Sequence, residues 1–391
     1  MLSYSFYESD TRILQYTSAL VNQGHVVDAI ALRRRGTLAF EVLDGVRVNR
    51  IQYREVNEQS RFSYLLRILR FLILATWVLA WSHWTKQYHI IHVHSVPDFL
   101  VFAALIPKLF GARVILDIHD IMPEFYTSKF AAGRRSVVFT LLLLMEKISI
   151  ALADHVIIAN DLWRERLISR SVSPEKCTSI LNYPIHQIFH PRPKWKRNGR
   201  FLILYPGTLN THQGVDIAIR AFAKVADEMP NAHFHIYGEG PAKQDLFRLT
   251  ETLGLTSRVI IHNVLPTNEI ADVMAMSDLA VVPKRASSLF GNEAASTKIA
   301  EFMSLGVPLI VSRTKVDTFY YDDSLVKFFE SENESDLAEC MLLLWRDEQL
   351  RAQLAANASR FIRESGWQEK QHGYLRMIAA LVSPGPERQN A

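Results

Sequence analysis

The chain has 391 residues, of which 49% are hydrophobic and 21% charged. This composition excludes a disordered or low-complexity chain, and the length is typical of two domains. A formal net charge of +4 does not indicate nucleic-acid binding, and we expect no nucleic-acid partner. Cys177 and Cys340 are far apart and form no CxxC pair, which indicates neither a disulfide framework nor a zinc site and fits a reducing, cytoplasmic compartment.

In chain order, short runs rich in Val and Ile alternate with longer stretches of helical period, as is typical of parallel sheets covered by helices. The first ten residues lack the basic start and apolar stretch of a secretory signal, so we expect a protein that is not exported. The strands predicted in the first half are Val26–Leu32, Ile90–His94, Val114–Ile118 and Val156–Ala159. The helices predicted there are Asp10–Asn22, Ser63–Trp84, Asp98–Leu109 and Ser136–Leu152.

The second of these helices is rich in tryptophan. Its uncharged run, Phe71–Trp84, is shorter than the roughly 18 residues of a spanning helix, which predicts a packed or interfacial helix. Either the helix packs on a sheet as an amphipathic element, or it lies on an anionic bilayer with Trp at headgroup depth and Arg on lipid phosphates. The residues that would face the membrane are Trp77, Trp81, Trp84, Arg67 and Arg70.

The periodicity breaks between Asn182 and Arg200, where prolines and the basic stretch Lys194–Arg197 interrupt it. The strands predicted after the break are Phe201–Tyr205, His233–Tyr237, Val259–His262, Leu279–Val282 and Leu309–Val311. The tail from Glu334 to Leu381 predicts three helices, the last without a strand of its own to cover. We therefore predict one domain over 1–185, a linker over 186–199, a second domain over 200–365, and a helix over 366–382 that packs back on the first domain.

Ligands of open α/β sheets bind beyond the carboxyl ends of the strands, so residues that follow strands are candidates for a site. Gly207 and Gly214 frame a turn between a strand and a helix, a pattern that either holds phosphate or merely connects the two elements. Gly238-Glu-Gly240 begins like a dinucleotide fingerprint, but Lys243 stands at the third glycine position, which disfavours an NAD-dependent enzyme. No GxxxxGK[ST] sequence occurs, so a P-loop ATPase is not indicated.

The segment from Glu293 to Pro308 predicts one short helix. Ser296 or Thr297 is the expected N-cap, and Gly306 is the expected stop.

Three charges of that segment fall near the start of the helix. Lys298 lies in the first turn, where a cation opposes the helix dipole unless an anion binds there. Glu293 lies just ahead of the helix and Glu301 within it, so both can face one pocket, although an ordinary solvated helix would show the same spacing.

The first half contains a further cluster, in which Asp117, His119, Asp120 and Glu124 follow a buried strand. A structural His–Asp pair is the alternative to a functional site. His92 and His94 share a strand face, but two imidazoles with no third ligand nearby do not make a metal site, and we predict none.

Together, these residues resemble the family 4 retaining glycosyltransferases of GT-B architecture, especially the bacterial members that build polysaccharides and glycolipids. The resemblance covers almost the whole chain, from Arg12 and Gly24-His25 to the tryptophan-led final helix, and its most specific part is the Glu-x7-Glu segment from Glu293 to Pro308. Asn182-Tyr-Pro184 and Gly238–Pro241 match in order. The resemblance implies an α/β fold of two Rossmann-like domains whose parallel sheets face each other across a cleft.

The activity that the resemblance implies is transfer of a hexosyl group from a nucleoside-diphosphate sugar, of UDP or GDP type, to an acceptor hydroxyl with retention of configuration. No cofactor beyond this co-substrate is expected, and because no acidic pair has metal-ligand spacing, we expect a metal-independent reaction. Acceptor recognition would fall to the first domain. The acceptor would be a glycan or lipid-linked molecule of cell-surface polysaccharide or glycolipid biosynthesis, and the enzyme would be cytoplasmic, at the inner face of the cytoplasmic membrane if the tryptophan-rich helix binds lipid.

The same resemblance implies roles for single residues. Glu301 would hold the ribose hydroxyls, Glu293 would contact the donor sugar near the reacting carbon, and His119 would lie across the cleft beside that sugar. Lys298 would face the diphosphate. The other residues expected to bind the donor are Gly207, Thr208, Gly214, Gly238, Gly240, Ser296 and Thr297, with Lys284 and Arg285 as possible sources of phosphate charge.

Three positions depart from the family pattern. The family usually has a basic residue after the first glycine of the phosphate turn and a lysine before the second, where this chain has Thr208 and Gln213. The glycine pair after the first strand is replaced by Tyr7–Asp10. The usual diphosphate clamp is therefore absent, and Lys298 and the start of its helix at Ser296 must supply that charge, with Lys284 or Arg285 as further candidates.

Two other functions stay open. The replacements at Thr208 and Gln213 are what a non-catalytic sugar-nucleotide-binding or scaffolding homologue would show, whereas Glu293, Lys298 and Glu301 argue for an enzyme. Another GT-B enzyme, such as a nucleotide-sugar epimerase or a phosphorylase, ranks third, because no lysine-anchored cofactor signature is recognisable.

Overall fold

The computed structural model describes residues 1–54, 61–130, 136–193 and 199–383, with side chains described from 63 to 126 in the second range. The chain divides into two compact units, one formed by Met1–Asn182 and the segment from Trp367, the other by Tyr183–Gly366. The basic stretch of the predicted linker, Lys194–Arg197, lies outside the described residues.

The first unit is built on an eight-stranded sheet with the order β3-β4-β2-β1-β5-β6-β7-β8. Its strands are β1 (Leu2–Ser3), β2 (Val27–Arg33), β3 (Phe40–Leu43), β4 (Val46–Tyr53), β5 (Ile90–His94), β6 (Arg113–Ile118), β7 (His155–Ile158) and β8 (Cys177–Ser179). Neighbours are parallel except for the β3–β4 hairpin. The four predicted strands are confirmed to within one residue at each end, whereas β1, β3, β4 and β8 were not predicted.

Helices connect these strands. Their bounds are α1 (Thr11–Asn22), α2 (Arg61–Lys86), α3 (Leu105–Leu109), α4 (Met122–Phe130), α5 (Val137–Leu152) and α6 (Asp161–Ile168). Asp10 caps α1, because its side chain accepts a hydrogen bond from Ile13 N at 3.3 Å. The predicted helix over 98–109 is only partly α-helical, since Asp98–Ala104 is a 3-10 helix that leads into α3.

The second unit has a six-stranded, entirely parallel sheet with the order β11-β10-β9-β12-β13-β14. Its strands are β9 (Phe201–Pro206), β10 (Ala232–Tyr237), β11 (Val259–His262), β12 (Leu279–Val282), β13 (Leu309–Ser312) and β14 (Lys327–Phe329), of which only β14 was not predicted. Its helices are α7 (Val215–Val225), α8 (Lys243–Thr252), α9 (Thr267–Ala275), α10 (Leu289–Glu293), α11 (Thr297–Leu305), α12 (Lys315–Tyr320), α13 (Glu334–Arg346) and α14 (Glu348–Ser365). Helices α7 and α13 pack together over one core cluster, and α11 and α14 over a second.

The last helix, α15 (Trp367–Val382), belongs to the first unit. The ring of Tyr374 stacks on Tyr16 of α1 with centroids 4.4 Å apart, and Trp367 meets Tyr16 edge-on at 5.3 Å. The Tyr374 hydroxyl also lies 3.2 Å from Nδ1 of His92 in β5. Stacked aromatic rings and a buried hydrogen bond therefore fix α15 on the first unit.

Helix α2 confirms the predicted helix Ser63–Trp84 to within two residues at each end, but its apolar stretch is longer than the predicted run Phe71–Trp84. Its segment Ser63–Lys86 has 24 residues and contains an 18-residue window with a mean hydropathy of 1.7, and by length and composition alone such a helix could cross a membrane. One face of α2 is nonetheless fixed in the protein core, because Phe71 and Ala75 are fully buried. The helix therefore packs along one side and is open along the other.

Candidate functional site

Loops that follow the strands of the second sheet lie directly against one another at its carboxyl edge. Gly207 N donates to Tyr237 O at 2.8 Å. A Cβ on Gly238 would lie 2.0 Å from Gly207 O, and a Cβ on Gly240 would lie 2.5 Å from Leu209 O. Only glycine lets the two loops approach this closely.

A third loop joins them at the start of α7. Gly214 has a φ of 66°, and a Cβ there would lie 1.9 Å from Pro283 O, in the loop after β12. Gly214 thus combines a left-handed conformation with a close backbone approach, and both require glycine. The loops after β9, β10 and β12 consequently form one surface at the carboxyl edge of the sheet.

Lys298 extends from the first turn of α11 onto this surface. A Cβ on Gly207 would lie 2.2 Å from Lys298 Cε, so the lysine stem fills the space that the glycine leaves open. Lys298 Nζ donates to Gln213 Oε1 at 3.3 Å and lies 5.5 Å from the centroid of the Tyr205 ring. Burial lowers the pKa of Lys298 to about 8; Glu301 opposes this change and Lys284 adds to it.

Lys284 and Arg285, predicted as further sources of phosphate charge, are already paired with carboxylates. Lys284 Nζ lies 2.8 Å from Asp317 Oδ2, and both side chains are buried. Arg285 binds Asp216 at 2.5 Å and Glu332 at 3.0 Å. Lys298 has no such salt bridge among the described residues, so of the three it is the cation whose charge is left for a ligand.

Ser296 occupies the N-cap position of α11, but its side chain makes no capping bond. The prediction of Ser296 as the N-cap residue is therefore confirmed in position, although no side-chain bond caps the helix, and Gly306 ends the helix with a φ of 70° as predicted. Ser296 Oγ is buried and has no hydrogen-bond partner among the described residues. Such a hydroxyl costs about 1–3 kcal/mol unless a ligand satisfies it.

The two glutamates occupy different environments. Glu293 ends α10, is buried, and has Oε1 3.8 Å from Nζ of Lys315. Glu301 lies one turn after Lys298, and burial raises its pKa while Lys298 and a hydrogen bond with Thr297 oppose the rise. Each of these two charges thus partly offsets the effect that burial has on the pKa of the other, as expected of a polar site that excludes water.

Gln213 occupies the position where the family usually has a lysine, and in this structure its side chain accepts hydrogen bonds within the site. Its Oε1 accepts hydrogen bonds from Lys298 Nζ and from the Tyr205 hydroxyl, the latter at 3.2 Å. The single proton of the Tyr205 hydroxyl is shared between Gln213 Oε1 and Thr208 O, which lies 3.0 Å from the hydroxyl oxygen. Tyr205 and Gln213 therefore hold both the turn and the lysine, a role that sequence analysis missed although Tyr205 directly precedes the Pro-Gly turn.

A second polar cluster lies at the carboxyl edge of the first sheet. Asp117 is fully buried and accepts two hydrogen bonds from Arg12, at 2.7 and 2.8 Å. Its Oδ2 lies 3.2 Å from His94 Nδ1 and 3.5 Å from His119 Nε2. Burial alone would raise the pKa of Asp117, but the Arg12 guanidinium and His119 hold it well below its usual range.

Only part of the predicted cluster around His119 comes together. Glu124 forms an ion pair with Arg170 instead, with Oε1 2.6 Å from Nη1. Burial raises the pKa of Asp120, and His119 opposes the rise. His119 keeps 21% of its side-chain surface exposed, so a ligand can reach it.

The prediction that no third ligand lies near His92 and His94 was wrong. Ligand atoms of His92, His94 and Asp117 lie within 4.8 Å of one another. Arg12, however, takes both oxygens of Asp117, and a cation there would stand beside its guanidinium. Two imidazoles and a carboxylate are ligands that zinc accepts, but the positive charge of Arg12 would repel the ion. That the reaction needs no metal stays a prediction.

A cavity of about 410 Å³ elsewhere in the second unit is lined by none of the predicted site residues. Its walls come from β9, β10 and α9, and include His233, His235 and Asp272.

Solved structures place this fold in a known class. Sucrose-phosphate synthase from Thermosynechococcus elongatus superposes with a TM-score of 0.77 at 15% identity, over 97% of this chain and 98% of that one. Anabaena HepE, solved in complex with UDP, gives 0.68 at 15% identity over the same shares. The two α/β units thus form the GT-B fold of glycosyltransferases.

Family comparisons narrow the class. The model of a glycosyl transferase 4-like domain matches residues 9–182, and that of glycosyl transferases group 1 matches residues 187–361. The chain belongs to the family 4 glycosyltransferases, as the sequence motifs predicted.

Curated relatives are distant. The gpi3 subunit of phosphatidylinositol N-acetylglucosaminyltransferase from Schizosaccharomyces pombe is 23% identical over 339 residues, which is 85% of this chain and 68% of that protein. Alpha-D-kanosaminyltransferase from Streptomyces kanamyceticus is 27% identical over 169 residues, 43% of this chain and 42% of its own.

Proposed function

We propose that this glycosyltransferase moves a hexosyl group from a nucleoside-diphosphate sugar to an acceptor hydroxyl with retention of configuration. The observation that carries the proposal is the anion site at the start of α11. There the ammonium of Lys298 lies against Gly207 and bonds to Gln213 but forms no salt bridge with any described residue, and the buried Ser296 hydroxyl has no hydrogen-bond partner among them. Helix N–H groups and a desolvated cation are what a diphosphate requires.

We propose a uridine donor rather than a guanosine one. The support is that Anabaena HepE has been solved with UDP and with UDP-glucose, and that it shares the fold of this chain over almost its whole length. In this proposal Glu301 holds the ribose hydroxyls and Glu293 the hydroxyls of the sugar. His119 is proposed as a contact of the donor sugar.

The chemistry follows from where charge develops. As the bond between the anomeric carbon and the phosphate oxygen breaks, negative charge grows on the diphosphate and positive charge on the sugar ring. Lys298 and the α11 N–H groups stabilise the leaving group before the bond breaks, so the proposed reaction needs no divalent cation. The acceptor oxygen attacks from the face that the phosphate leaves, and its proton passes to a phosphate oxygen. Neither glutamate acts as a nucleophile.

The two glutamates should then be separable by kinetics. Glu301→Ala is expected to weaken binding of UDP, because a buried hydroxyl pair of the ribose loses its acceptor, and roughly tenfold or more is typical of such a loss. Glu293→Ala is expected to lower turnover more than donor affinity. Calorimetry with UDP and initial rates with the UDP-sugar measure both quantities. Unchanged UDP affinity in Glu301→Ala would remove the ribose assignment.

For the acceptor we propose a lipid-linked molecule or a glycan of cell-surface polysaccharide or glycolipid synthesis. A lipid-linked acceptor would keep the enzyme in the cytoplasm at the inner face of the cytoplasmic membrane. The open face of α2 supports this, since Trp77, Trp81 and Trp84 are 67%, 69% and 77% exposed. Tryptophan at such exposure is typical of a membrane interface.

A non-catalytic homologue that only binds sugar nucleotides is the second candidate, and the replacements at Thr208 and Gln213 are the observation that favours it. Release of UDP from a UDP-sugar separates the two functions, because a binding protein leaves the donor intact.

A further inference from the structure

Exposed apolar side chains are concentrated in one part of the first unit. Sixteen of the 26 large hydrophobic residues exposed in the described chain lie between residues 65 and 148, whereas the second unit exposes four. Apolar residues scattered singly over a surface are normal, but a contiguous apolar patch marks an interaction surface.

The open side of α2 is the first component of this patch. Its exposed residues repeat every three or four positions, and they lie opposite the buried stripe of Ile68, Phe71, Ala75 and Leu79. Helix α2 is thus apolar on both sides, one fixed in the core and one without cover. The open side consists of Leu66, Leu69, Ile73, Trp77, Trp81 and Trp84.

Two further helices extend the patch beyond α2. Helix α3 adds Leu109 and Phe110, and Phe110 meets Trp84 edge-on with ring centroids 6.2 Å apart. Helix α5 packs on the 3-10 helix over 98–104, which also contacts α2, so all three helices cover one face of the sheet. The exposed stripe of α5 is Val137, Leu141, Leu144 and Ile148.

Charge on these helices has one sign where it is exposed. Helices α2 and α3 contain no Asp or Glu, and the one acid of α5, Glu146, is buried and paired with Arg170 at 2.6 Å. Arg70 on α2 and Lys147 on α5 are exposed. An apolar face bordered by cations and free of acids is complementary to an anionic lipid surface, whereas protein interfaces have mixed charge at the rim.

We infer that α2, α3 and α5 form one monotopic docking face that inserts into an anionic bilayer. This surface is larger than the tryptophan stripe of α2 alone. It also excludes a membrane-spanning role for α2, because a helix that crossed the bilayer would have to remove Phe71 and Ala75 from the protein core. Helices in βαβ units run antiparallel to their strands, so α2 and α5 both begin at the edge of the sheet that holds Asp117 and His119. The docked face therefore places that edge near the lipid headgroups, where a lipid-linked acceptor is found.

Flotation of the full chain with vesicles tests this face, with phosphatidylcholine vesicles that contain roughly 30% phosphatidylglycerol as the probe. Wild type is expected to float at low salt and to remain partly bound at high salt, because apolar insertion is not screened. Leu141→Glu with Leu144→Glu on α5, and separately Trp77→Ser with Trp81→Ser on α2, are each expected to reduce the bound fraction at limiting lipid by about tenfold.

The matched control is Val264→Glu with Leu343→Glu, which places the same charge at exposed apolar positions of the second unit and should float like wild type. Circular dichroism melting confirms that each variant folds. Failure of wild type to float at low salt would overturn the proposal. Normal flotation of the α5 variant would also overturn it, because that result would mean that α2 alone binds the membrane. A lipid-free oligomer that the α5 variant dissociates would also overturn it, in favour of a protein partner. UDP release in solution is measured separately, so failure of the docking face and failure of the proposed reaction are distinguishable.

Discussion

Replacing Lys298 with methionine should lower turnover by about 10²- to 10³-fold, the loss typical of removing one preorganised donor to a developing negative charge. The methionine keeps the length and the apolar stem that lies on Gly207, while the ammonium is lost. Initial rates of UDP release measure the effect. Lys224→Met, on the exposed face of α7 where Nζ contacts Ser335 at 3.1 Å, is the control and should leave the rate unchanged.

The same lysine predicts a pH dependence of UDP affinity. Because burial lowers the pKa of Lys298 to about 8, the ammonium is fully present below that pH and is lost above it. Affinity for UDP should therefore be constant below about pH 8 and fall by up to tenfold per unit above it, as long as proton uptake accompanies binding. Lys298→Met should abolish this dependence. Wild-type turnover in Lys298→Met, with the pH profile intact, would contradict the role of this cation.

Replacing Arg12 with methionine should lower the free energy of unfolding of the first unit by about 3–5 kcal/mol, because it leaves the buried carboxylate of Asp117 without its cation. The double variant Arg12→Met with Asp117→Leu should recover much of the loss, since it removes the uncompensated charge as well. Urea denaturation followed by tryptophan fluorescence measures both. Equal stability of Arg12→Met and wild type would show that the pair contributes little.

The sign of the accompanying pH effect follows from the lowered pKa of Asp117. A carboxyl whose pKa is depressed by folding contributes stability above its unfolded value of about 3.9, and that contribution is lost as the pH falls through the folded pKa. Wild type should therefore lose stability on acidification below about pH 4, and Arg12→Met should lose less of it.

Strands could be predicted from the sequence where they are buried on both faces. The runs Val114–Leu116 and Leu279–Val282 are continuously apolar, and the structure has them in central strands. The hairpin β3–β4 was missed because it has no continuous apolar run, although the alternation of Val46 and Val48 with Arg47 and Asn49 is the pattern of a strand buried on one face. Strands of two or three residues, such as β1 and β8, carry too little pattern to be recognised.

Of the site, the sequence predicted the glycine turns and the charges of α11, because these lie within short segments. It could not predict how the charges are compensated. Lys298 reaches Gln213 across 85 positions, and Arg12 reaches Asp117 across 105, so both contacts depend on the fold. Lys284 was a candidate for phosphate binding for the same reason, since its partner Asp317 is apparent only in the folded chain.

The apolar stretch of α2 shows a related limit. Arg67 and Arg70 ended the uncharged run at Phe71, so the sequence predicted an apolar stretch too short to span a membrane, although it predicted the helix itself to within two residues at each end. The docking face also depends on α5, which begins more than fifty positions after the end of α2. The sequence predicted α5 only as a helix that covers the sheet, because its position beside α2 depends on the fold.

The central claim is that the chain turns over a nucleoside-diphosphate sugar, and the most direct measurement is release of the nucleoside diphosphate from UDP- and GDP-sugars, with and without acceptor-bearing membranes. We predict UDP release that membranes accelerate and that Lys298→Met reduces by about 10²- to 10³-fold. Tight binding of UDP without any release, in wild type and with membranes present, would contradict the claim and identify the chain as a sugar-nucleotide-binding homologue.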